Sequence, residues 1–277
     1  MPLARTADLV AAAHQAGTGL AAFNVITLEH AEAIVDGAAQ AGRPVILQIS
    51  ENAVKFHRHQ LRPIVAAAAA VAAEAPIPAS VHLDHIENIE LLHAAADTAV
   101  SSAMFDAGKL DYDANVAATT SAADWAHQRG MFLEAELGGV GGKGDAHTPG
   151  VRTDPAEAAA FISATGVDAL AVAVGSSHAM STRVASLDFD LIDRLRSAVP
   201  VPLVLHGSSG VSEEDLRKAV SAGLTKINVG TLLNIRFTEQ VRAYLASDDA
   251  VHDPRKYLAP ARAAITEAVA ELLTVIS

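Results

Sequence analysis

The chain has no cysteine among its 277 residues, and this absence limits the chemistry open to it. Disulfides, zinc sites built on thiolates and a cysteine nucleophile are all excluded. A transition-metal site would therefore have to use histidine and carboxylate ligands. The sequence supplies both, with 12 histidines and 32 aspartate and glutamate residues.

Cationic clusters and long apolar runs are scarce as well. The net charge is -12 and lysine and arginine form no long run, which argues against a nucleic-acid-binding surface. The alanine-rich run at 66–73 is far shorter than the roughly 20 residues of a transmembrane helix. Residues 5–14 mix charges into an apolar pattern and predict an amphipathic helix, not a signal peptide. We expect a cytoplasmic protein that binds neither nucleic acid nor membrane.

Strand-like and helix-like segments alternate along the whole chain, without a shift in composition. The predicted strands are 21–25, 45–50, 79–84, 101–106, 131–137, 169–175, 202–206 and 226–229. The predicted helices between and after them are 28–41, 59–75, 88–98, 113–128, 154–164, 188–198 and 212–222. Eight alternations predict an α/β fold, a closed (β/α)8 TIM barrel in a single domain of residues 1–277. A doubly wound sheet, the competing fold, would need no such even count. The glycine-rich segment 138–152 breaks the rhythm and predicts a mobile active-site loop.

Polar residues collect where the predicted strands end, which is the catalytic face of such a barrel. Three motifs close strands there: HLDH at 82–85, GSSH at 175–178 and HGSSG at 206–210. Several histidines on one rim, together with carboxylates, indicate a zinc site with an open coordination position. The spacing alone does not tell which histidines bind the metal. The rim also carries Asn24, Gln48, Ser50, Asp106, Glu134, Glu136, Asn228 and Thr231.

The segments after the last two strands indicate anion binding. Residues 206–210 and 228–231 combine small side chains, hydroxyls and exposed backbone N–H groups next to helix N-termini. The loops after strands seven and eight of such barrels commonly hold phosphate. As a pair they predict a phosphorylated substrate.

Five motifs spread over nearly the whole chain carry a family resemblance: HLDH at 82–85, EAELG at 134–138, PLVLHG at 202–207, KINV at 226–229 and DPRKYL at 253–258. In combination they resemble the class II, zinc-dependent fructose-bisphosphate and tagatose-bisphosphate aldolases. The resemblance implies reversible cleavage of a ketose (bis)phosphate, such as fructose 1,6-bisphosphate, to dihydroxyacetone phosphate and a three-carbon aldehyde. It also implies a homodimer or homotetramer, and a monovalent cation, Na⁺ or K⁺, near the phosphate.

The resemblance further implies a role for each matching residue. His85, His178 and His206 would bind zinc, Glu136 and Asp106 would form an alternative or secondary metal site, and Asp84 would be the catalytic acid/base. The implied substrate and phosphate contacts are Asn24, Ser50, Ala179, Gly207, Ser208, Ser209, Asn228, Val229, Gly230, Thr231 and Arg255. Within this set, Ser50 and Arg255 would hold the phosphate of the aldehyde half, the arginine coming from a neighbouring subunit.

The chain departs from the family pattern in the glycine-rich segment. Family members usually carry a glutamate there, which exchanges the C3 proton of dihydroxyacetone phosphate, and Gly144 occupies that position here. Asp145 or His147 takes over by a small shift, or the proton transfer is rearranged. Asp145 is the candidate for the second catalytic residue. Cationic candidates for selecting the aldehyde are His57, Arg58, Lys109 and Arg183.

Other functions stay open. The aldolase could act on tagatose bisphosphate, a sulfofructose phosphate or the keto-deoxy-gluconate phosphate of inositol catabolism, or the chain could be an aldolase-like binding protein with weakened catalysis. A metal-dependent hydrolase would need a His-X-His pair after the first strand and an aspartate after the last, where Asn24 and Asn228 stand. A Schiff-base aldolase would need a lysine at the barrel centre, whereas Lys226 is expected to begin the eighth strand, away from the catalytic rim.

Overall fold

A computed structural model describes residues 3–137, 151–177 and 182–277 of the chain. Eight parallel strands form a closed barrel in sequence order, and the last pairs with the first. The strands are β1 (Leu20–Asn24), β2 (Val45–Ser50), β3 (Ala79–Ile86), β4 (Ser102–Phe105), β5 (Phe132–Glu136), β6 (Ala169–Ala171), β7 (Leu203–Leu205) and β8 (Leu224–Val229). The predicted (β/α)8 TIM barrel is confirmed.

Helices surround the barrel and close its base. They are α1 (Thr6–Ala16), α2 (Leu28–Ala41), α3 (Glu51–Phe56), α4 (Leu61–Glu74), α5 (Ile89–Ala95), α6 (Tyr112–His127), α7 (Pro155–Thr165), α8 (Phe189–Ala198), α9 (Glu213–Ala222), α10 (Thr231–Ser247) and α11 (Pro254–Val275). The predicted N-terminal helix is α1, whereas the strand and helix pattern did not anticipate α3, α10 or α11. Within the described residues, no helix is both long and apolar enough to cross a membrane.

Helix ends follow local side-chain chemistry. Asp154 accepts hydrogen bonds from the backbone nitrogens of Ala156 and Glu157 and so caps the start of α7. Ser212 caps α9 in the same way through the nitrogen of Asp215. Gly166 ends α7 with a φ of 68°, a left-handed conformation that suits glycine. These are the start and stop signals that the sequence contains.

The sixth strand is shorter than predicted. It was expected over 169–175 but ends at Ala171. Beyond that point the backbone of Ala173 forms hydrogen bonds with Thr153. The Oγ1 of Thr153 accepts from the Ala173 nitrogen at 2.8 Å, and the Thr153 nitrogen donates to the Ala173 oxygen at 3.0 Å. A partner from the loop before α7 therefore replaces strand pairing near the catalytic end.

The barrel interior contains both apolar and polar side chains. Its smaller apolar clusters include Leu20, Ala22, Ile46, Ala169, Ala171 and Val204. Lys226 on β8 pairs in register with Leu20 and Val204, and it contacts Glu134 on β5, two strands that are not neighbours, so both side chains cross the interior. Polar groups buried at this depth have to satisfy one another's hydrogen bonds. The fold thus places a polar network directly beneath the ends of the strands.

Candidate active site

A cavity of about 380 Å³ opens at the carboxyl ends of the strands. Thirteen of the residues singled out in the sequence line it: Asn24, Gln48, Ser50, Asp84, His85, Asp106, Lys109, Ser177, Gly207, Ser209, Asn228, Gly230 and Thr231. Asn52, Lys55, Glu87 and Asn234 complete the lining. One concave site therefore collects polar residues at the ends of seven of the eight strands.

His85 and Asp84 share this site because the third strand is irregular where they lie. Neighbouring residues of a regular strand point to opposite faces. Here the pairing with β4 shifts register between Leu83 and Ile86, and His85 has a φ of 49°. A non-glycine residue in this left-handed region is uncommon and costs about 1–3 kcal/mol. This local strain turns the His85 side chain inward beside Asp84.

Three side chains form a group able to hold a metal ion. The ligand-capable atoms of Asp84, His85 and His206 all lie within 4.8 Å of one another. Nδ1 of His85 lies 2.9 Å from Oδ2 of Asp106. A histidine that gives one ring nitrogen to a carboxylate presents the other to a metal, so Nε2 of His85 is the expected ligand atom. Imidazole nitrogens and carboxylate oxygens together match the ligands that zinc takes in proteins without thiolates.

Carboxylates give the group a preference for positive charge. Burial would lower the pKa of His85, but Asp84, Asp106 and Glu136 outweigh it and raise that pKa to about 10. Burial would likewise raise the pKa of Asp106, yet the hydrogen bond and charge of His85 hold it below its ordinary value. The field that retains a proton on His85 is also the field that would attract a cation.

His206, which follows β7, is held from two sides. Its Nε2 lies 3.0 Å from Oε1 of Glu134, and its Nδ1 lies 3.5 Å from Oε2 of Glu136. The rings of His206 and His85 meet edge to face, with centroids 4.8 Å apart. The structure therefore brings His85, His206, Asp106 and Glu136 around one point. His178, the third implied zinc ligand, lies outside the described residues.

Asp84 is a buried carboxyl group with two amide neighbours. Gln48 Nε2 and Asn228 Nδ2 donate long hydrogen bonds to it, at 3.4 Å and 3.3 Å. Burial raises the pKa of Asp84 above its ordinary value, against the lowering effects of His85 and Lys226. A carboxyl group with a raised pKa at the wall of a cavity suits proton exchange with a bound molecule.

The loops after β7 and β8 form the other wall. Gly207 has a φ of 67°, and a Cβ atom there would lie 2.5 Å from the backbone oxygen of Ser177. Ser208 joins the two loops by donating from Oγ to the backbone oxygen of Asn228 at 2.5 Å. Ser209 Oγ accepts from the nitrogen of Leu232 at 3.1 Å, in the first turn of α10. Small residues thus bring a helix N-terminus to the cavity, where an anion is stabilised.

Some predicted residues lie elsewhere. Among the described residues, the cavity lining does not include Glu134, Glu136, His206, Ser208, Val229 or Arg255. Arg255 lies in the first turn of α11, where its side chain is 89% exposed and paired with Asp253. Ser50 does line the cavity, but its Oγ accepts from the nitrogen of Ala53 and caps α3. Gly144, Asp145, His147 and Ala179 are outside the described residues.

The cationic candidates for selecting the aldehyde differ in whether they line the cavity. Lys109 lines the cavity, with Nζ 2.5 Å from Oε1 of Glu87. Arg183 pairs with Glu213, and His57 contacts the backbone oxygen of Ile26, so both are engaged elsewhere.

Sequence reasoning missed four lining residues, Asn52, Lys55, Glu87 and Asn234. Lys55 lies on α3, the short helix that starts directly after β2 and brings Lys55 to the rim. Asn234 lies in the first turn of α10. Recognition of these two helix starts would have identified both residues.

Lys226 does not begin the eighth strand, which starts at Leu224. Its side chain lies inside the barrel and is fully buried, with Nζ 2.7 Å from Oε2 of Glu134. In the part of the chain that the structure describes, Lys226 is not among the residues lining the cavity. The prediction that Lys226 begins the eighth strand was therefore wrong.

A parallel barrel with a histidine and carboxylate group beside an anion pocket defines a class of enzyme that acts on anionic small molecules at the strand ends. The chain belongs to the class II fructose-bisphosphate aldolase family, since the family model "Fructose-bisphosphate aldolase class-II" matches residues 4–277. It is therefore an aldolase, a carbon–carbon lyase.

Individual relatives agree with the family. The chain is 36% identical over 273 residues to a fructose-bisphosphate aldolase of Staphylococcus aureus, covering 97% of this chain and 95% of the relative. The crystal structure of the YdjI aldolase from Escherichia coli K12 superposes with a TM-score of 0.85 at 30% identity, covering 99% of this chain and 97% of that one. The fructose-bisphosphate aldolase of Campylobacter jejuni shares the fold, with a TM-score of 0.81 at 21% identity over 99% of this chain and 95% of that one.

Proposed function

We propose that the protein catalyses the zinc-dependent, reversible aldol cleavage of a ketose phosphate, such as fructose 1,6-bisphosphate, to dihydroxyacetone phosphate and a three-carbon aldehyde. One observation carries the proposal. Asp84 lies in a group with His85 and His206 whose ligand-capable atoms are within 4.8 Å of one another. The same cavity contains the anion-binding loops around Gly207 and Gly230. A metal group, a proton carrier and a phosphate pocket therefore meet in one cavity.

Zinc fits the donor set of this chain. His85 and His206 would hold it, together with His178, which the family resemblance implies. When bound, zinc supplies a Lewis acid that stabilises the negative charge developing beside the substrate carbonyl. Asp106 supports the site by fixing His85, and Glu136 lies beside Nδ1 of His206.

Asp84 is proposed to carry the proton of the C4 hydroxyl group. Breaking the bond between C3 and C4 requires removal of the C4 hydroxyl proton, which the Asp84 carboxylate accepts. In the condensation direction Asp84 returns the proton to the same oxygen. Gln48 and Asn228, which donate to Asp84, would orient the carboxylate. Asp145 stays the predicted residue for exchange of the C3 proton.

The two ends of the substrate would be recognised differently. Gly207, Ser209, Gly230 and Thr231 are proposed to hold the phosphate of the dihydroxyacetone half through backbone N–H groups and hydroxyls. A monovalent cation near this phosphate, Na⁺ or K⁺, is part of the proposal.

At the opposite end, the cavity contains Lys55 and Lys109, which favour an anionic aldehyde such as glyceraldehyde 3-phosphate. A sulfonated aldehyde would satisfy the same cations, which is why other sugars of this family stay alternatives. An exposed Arg255 fits the proposal that a neighbouring subunit of a homodimer or homotetramer contributes it. The cytoplasmic location stays a prediction of the sequence.

The proposal is tested by condensing dihydroxyacetone phosphate with a panel of phosphorylated, sulfonated and neutral aldehydes, with and without a chelator. We expect activity with an anionic aldehyde, loss of that activity with chelator and recovery on addition of zinc. His85→Gln should abolish zinc binding and activity. The matched control His93→Gln, on the outer helix α5, should retain both. Chelator-resistant activity would contradict the zinc-dependent mechanism.

A further inference from the structure

A buried ion pair lies inside the barrel, below the candidate active site. Lys226 and Glu134 have side chains 1% and 0% exposed, and the Nζ and Oε2 atoms are 2.7 Å apart. A charge pair at this depth is costly to desolvate, and it is retained only with good geometry. The proposed reaction steps use neither residue. The proposed reaction therefore does not explain why this buried ion pair is present.

Donor and acceptor chemistry determines how this pair acts on its neighbours. An ammonium group only donates hydrogen bonds, and an ionised carboxylate only accepts them. Glu134 receives Lys226 on Oε2 and faces Nε2 of His206 with Oε1, at 3.0 Å. Nε2 of His206 must then carry the hydrogen. In a neutral imidazole the lone pair is consequently on Nδ1.

The geometry places that lone pair beside the proposed metal group. Nδ1 of His206 lies on the side of Glu136, with 3.5 Å between Nδ1 and Oε2. The ligand-capable atom of His206 lies within 4.8 Å of those of Asp84 and His85. The opposite tautomer would put a hydrogen on Nδ1 and could not bind a metal there.

On its other side, Lys226 contacts a buried histidine that is itself held by a hydrogen bond. His82 Nε2 lies 3.5 Å from Lys226 Nζ, and His82 Nδ1 lies 2.8 Å from the hydroxyl of Ser102. Ser102 donates to Thr6 of helix α1 at 2.7 Å. A chain of hydrogen bonds thus anchors the lysine to the base of the barrel.

We infer that Lys226 is a positioning residue, which acts through Glu134 to set the tautomer of His206 and so makes Nδ1 the metal-binding atom of that histidine. The inference rests on the proposed function, because it requires His206 to bind zinc. Groups that orient a metal-binding histidine typically change metal affinity about 10- to 100-fold when they are removed.

The test combines nitrogen NMR of the zinc-loaded protein, labelled with ¹⁵N-histidine, with zinc affinity from chelator competition. His206→Gln identifies the signals of His206. In the wild type we expect a hydrogen on Nε2 and a metal-bound Nδ1. In Lys226→Met the Glu134 carboxylate loses the ammonium group that holds Oε2, so its Oε1 is no longer fixed against Nε2 of His206 and both tautomers of His206 are expected. Zinc affinity should then fall about 10- to 100-fold.

A second variant covers the case in which the single replacement does not fold. Lys226→Met/Glu134→Gln removes both charges, and its amide can donate to or accept from Nε2 of His206. We expect both tautomers and a similar loss of zinc affinity. Thr165→Val is the matched control, because it removes a buried hydroxyl on α7 that donates to the backbone oxygen of Phe161, outside this network. It should leave the tautomer of His206 and the zinc affinity unchanged.

The two proposals fail in different ways. If wild-type protein binds no zinc, the proposed function is overturned together with this inference. If wild type binds zinc through His206 but the folded double variant keeps the same tautomer and affinity, only the positioning role of Lys226 is overturned. A lower melting temperature alone, with unchanged tautomer and affinity, would have the same meaning.

Discussion

Nδ1 of His85 lies 2.9 Å from Oδ2 of Asp106, so the carboxylate at the end of β4 fixes the ring that follows the irregular end of β3. Asp106 is itself held by the backbone nitrogen of Gly108, which donates to Oδ1 at 3.1 Å. The orientation of a proposed metal ligand therefore depends on a neighbouring strand.

We predict that Asp106→Ala lowers zinc affinity by about 10- to 100-fold, because the His85 ring loses its fixed orientation and tautomer. Chelator competition on the purified protein measures the change. Asp111→Ala is the control from the same loop: Asp111 caps α6 by accepting from the nitrogen of Ala114 at 2.9 Å. It should cost about 1 kcal/mol of stability without changing zinc affinity. Equal zinc affinity in both variants would exclude the orienting role of Asp106.

We predict that Asp84→Asn lowers kcat for cleavage by about 100- to 10,000-fold, the usual contribution of a general acid or base, while zinc content stays near that of the wild type. Steady-state kinetics and metal analysis of the same preparation measure both. Asp188→Asn is the matched control, since Asp188 caps α8 without lining the cavity and asparagine caps equally well. If Asp84→Asn loses its zinc, Asp84 is a ligand and not the proton carrier.

The close approach at Gly207 predicts a combined loss of stability and phosphate binding. Gly207→Ala would place a Cβ 2.5 Å from the Ser177 backbone oxygen, in addition to its left-handed φ of 67°. Gly166→Ala is the control, because Gly166 has a φ of 68° with no atom within 4 Å of the added Cβ. The control should lose only about 1–2 kcal/mol of unfolding free energy.

Gly207→Ala should lose more than the control, because the loop must move away from Ser177. It should also raise KM for dihydroxyacetone phosphate, which Gly166→Ala should leave unchanged. Denaturant unfolding and condensation kinetics test the two effects. An unchanged KM in a folded Gly207→Ala protein would remove this loop from the phosphate site.

His30 predicts part of the pH dependence of stability. Burial lowers the pKa of His30 from its ordinary 6.5, outweighing the raising effects of a hydrogen bond to Asn234 and of Glu29. Below pH 6.5 the unfolded chain then binds the proton more strongly than the folded one, so stability falls as the pH falls toward the folded-state pKa. Thermal unfolding from pH 6.5 downward should show a shallower decline for His30→Gln than for the wild type. Parallel declines would contradict the shift. Comparison at equal zinc loading cancels the titrations that both proteins share.

The alternation of strands and helices was predictable because it depends on local periodicity. β2 (Val45–Ser50) and α2 (Leu28–Ala41) have the predicted bounds. The end of β6 was not predictable, because it is decided by Thr153, which reaches Ala173 from a preceding loop. The six-residue helix α3 is too short to show a clear helical period, and Lys55 was missed with it.

The candidate site was also predictable from the sequence only in part. Motifs at the strand ends identified Asp84, His85 and Gly207 as site residues, since strand ends of a barrel converge whatever the details of packing. In a regular strand His82 and Asp84 would share one face and His85 would point to the other. Only the left-handed backbone of His85 and the register shift beside it bring Asp84 and His85 to one side.

The sequence by itself therefore determined which chemical groups are present: histidines and carboxylates in place of thiolates, and glycine and serine loops that suit an anion. It also determined the eight repeated strand–helix units. Closure of the barrel decided which of these groups act on each other. Glu134 contacts His206 across 72 positions of the chain and Lys226 across 92. Hydrogen bonds of this kind depend on separations of about 3 Å between atoms, and no spacing along the chain encodes such distances.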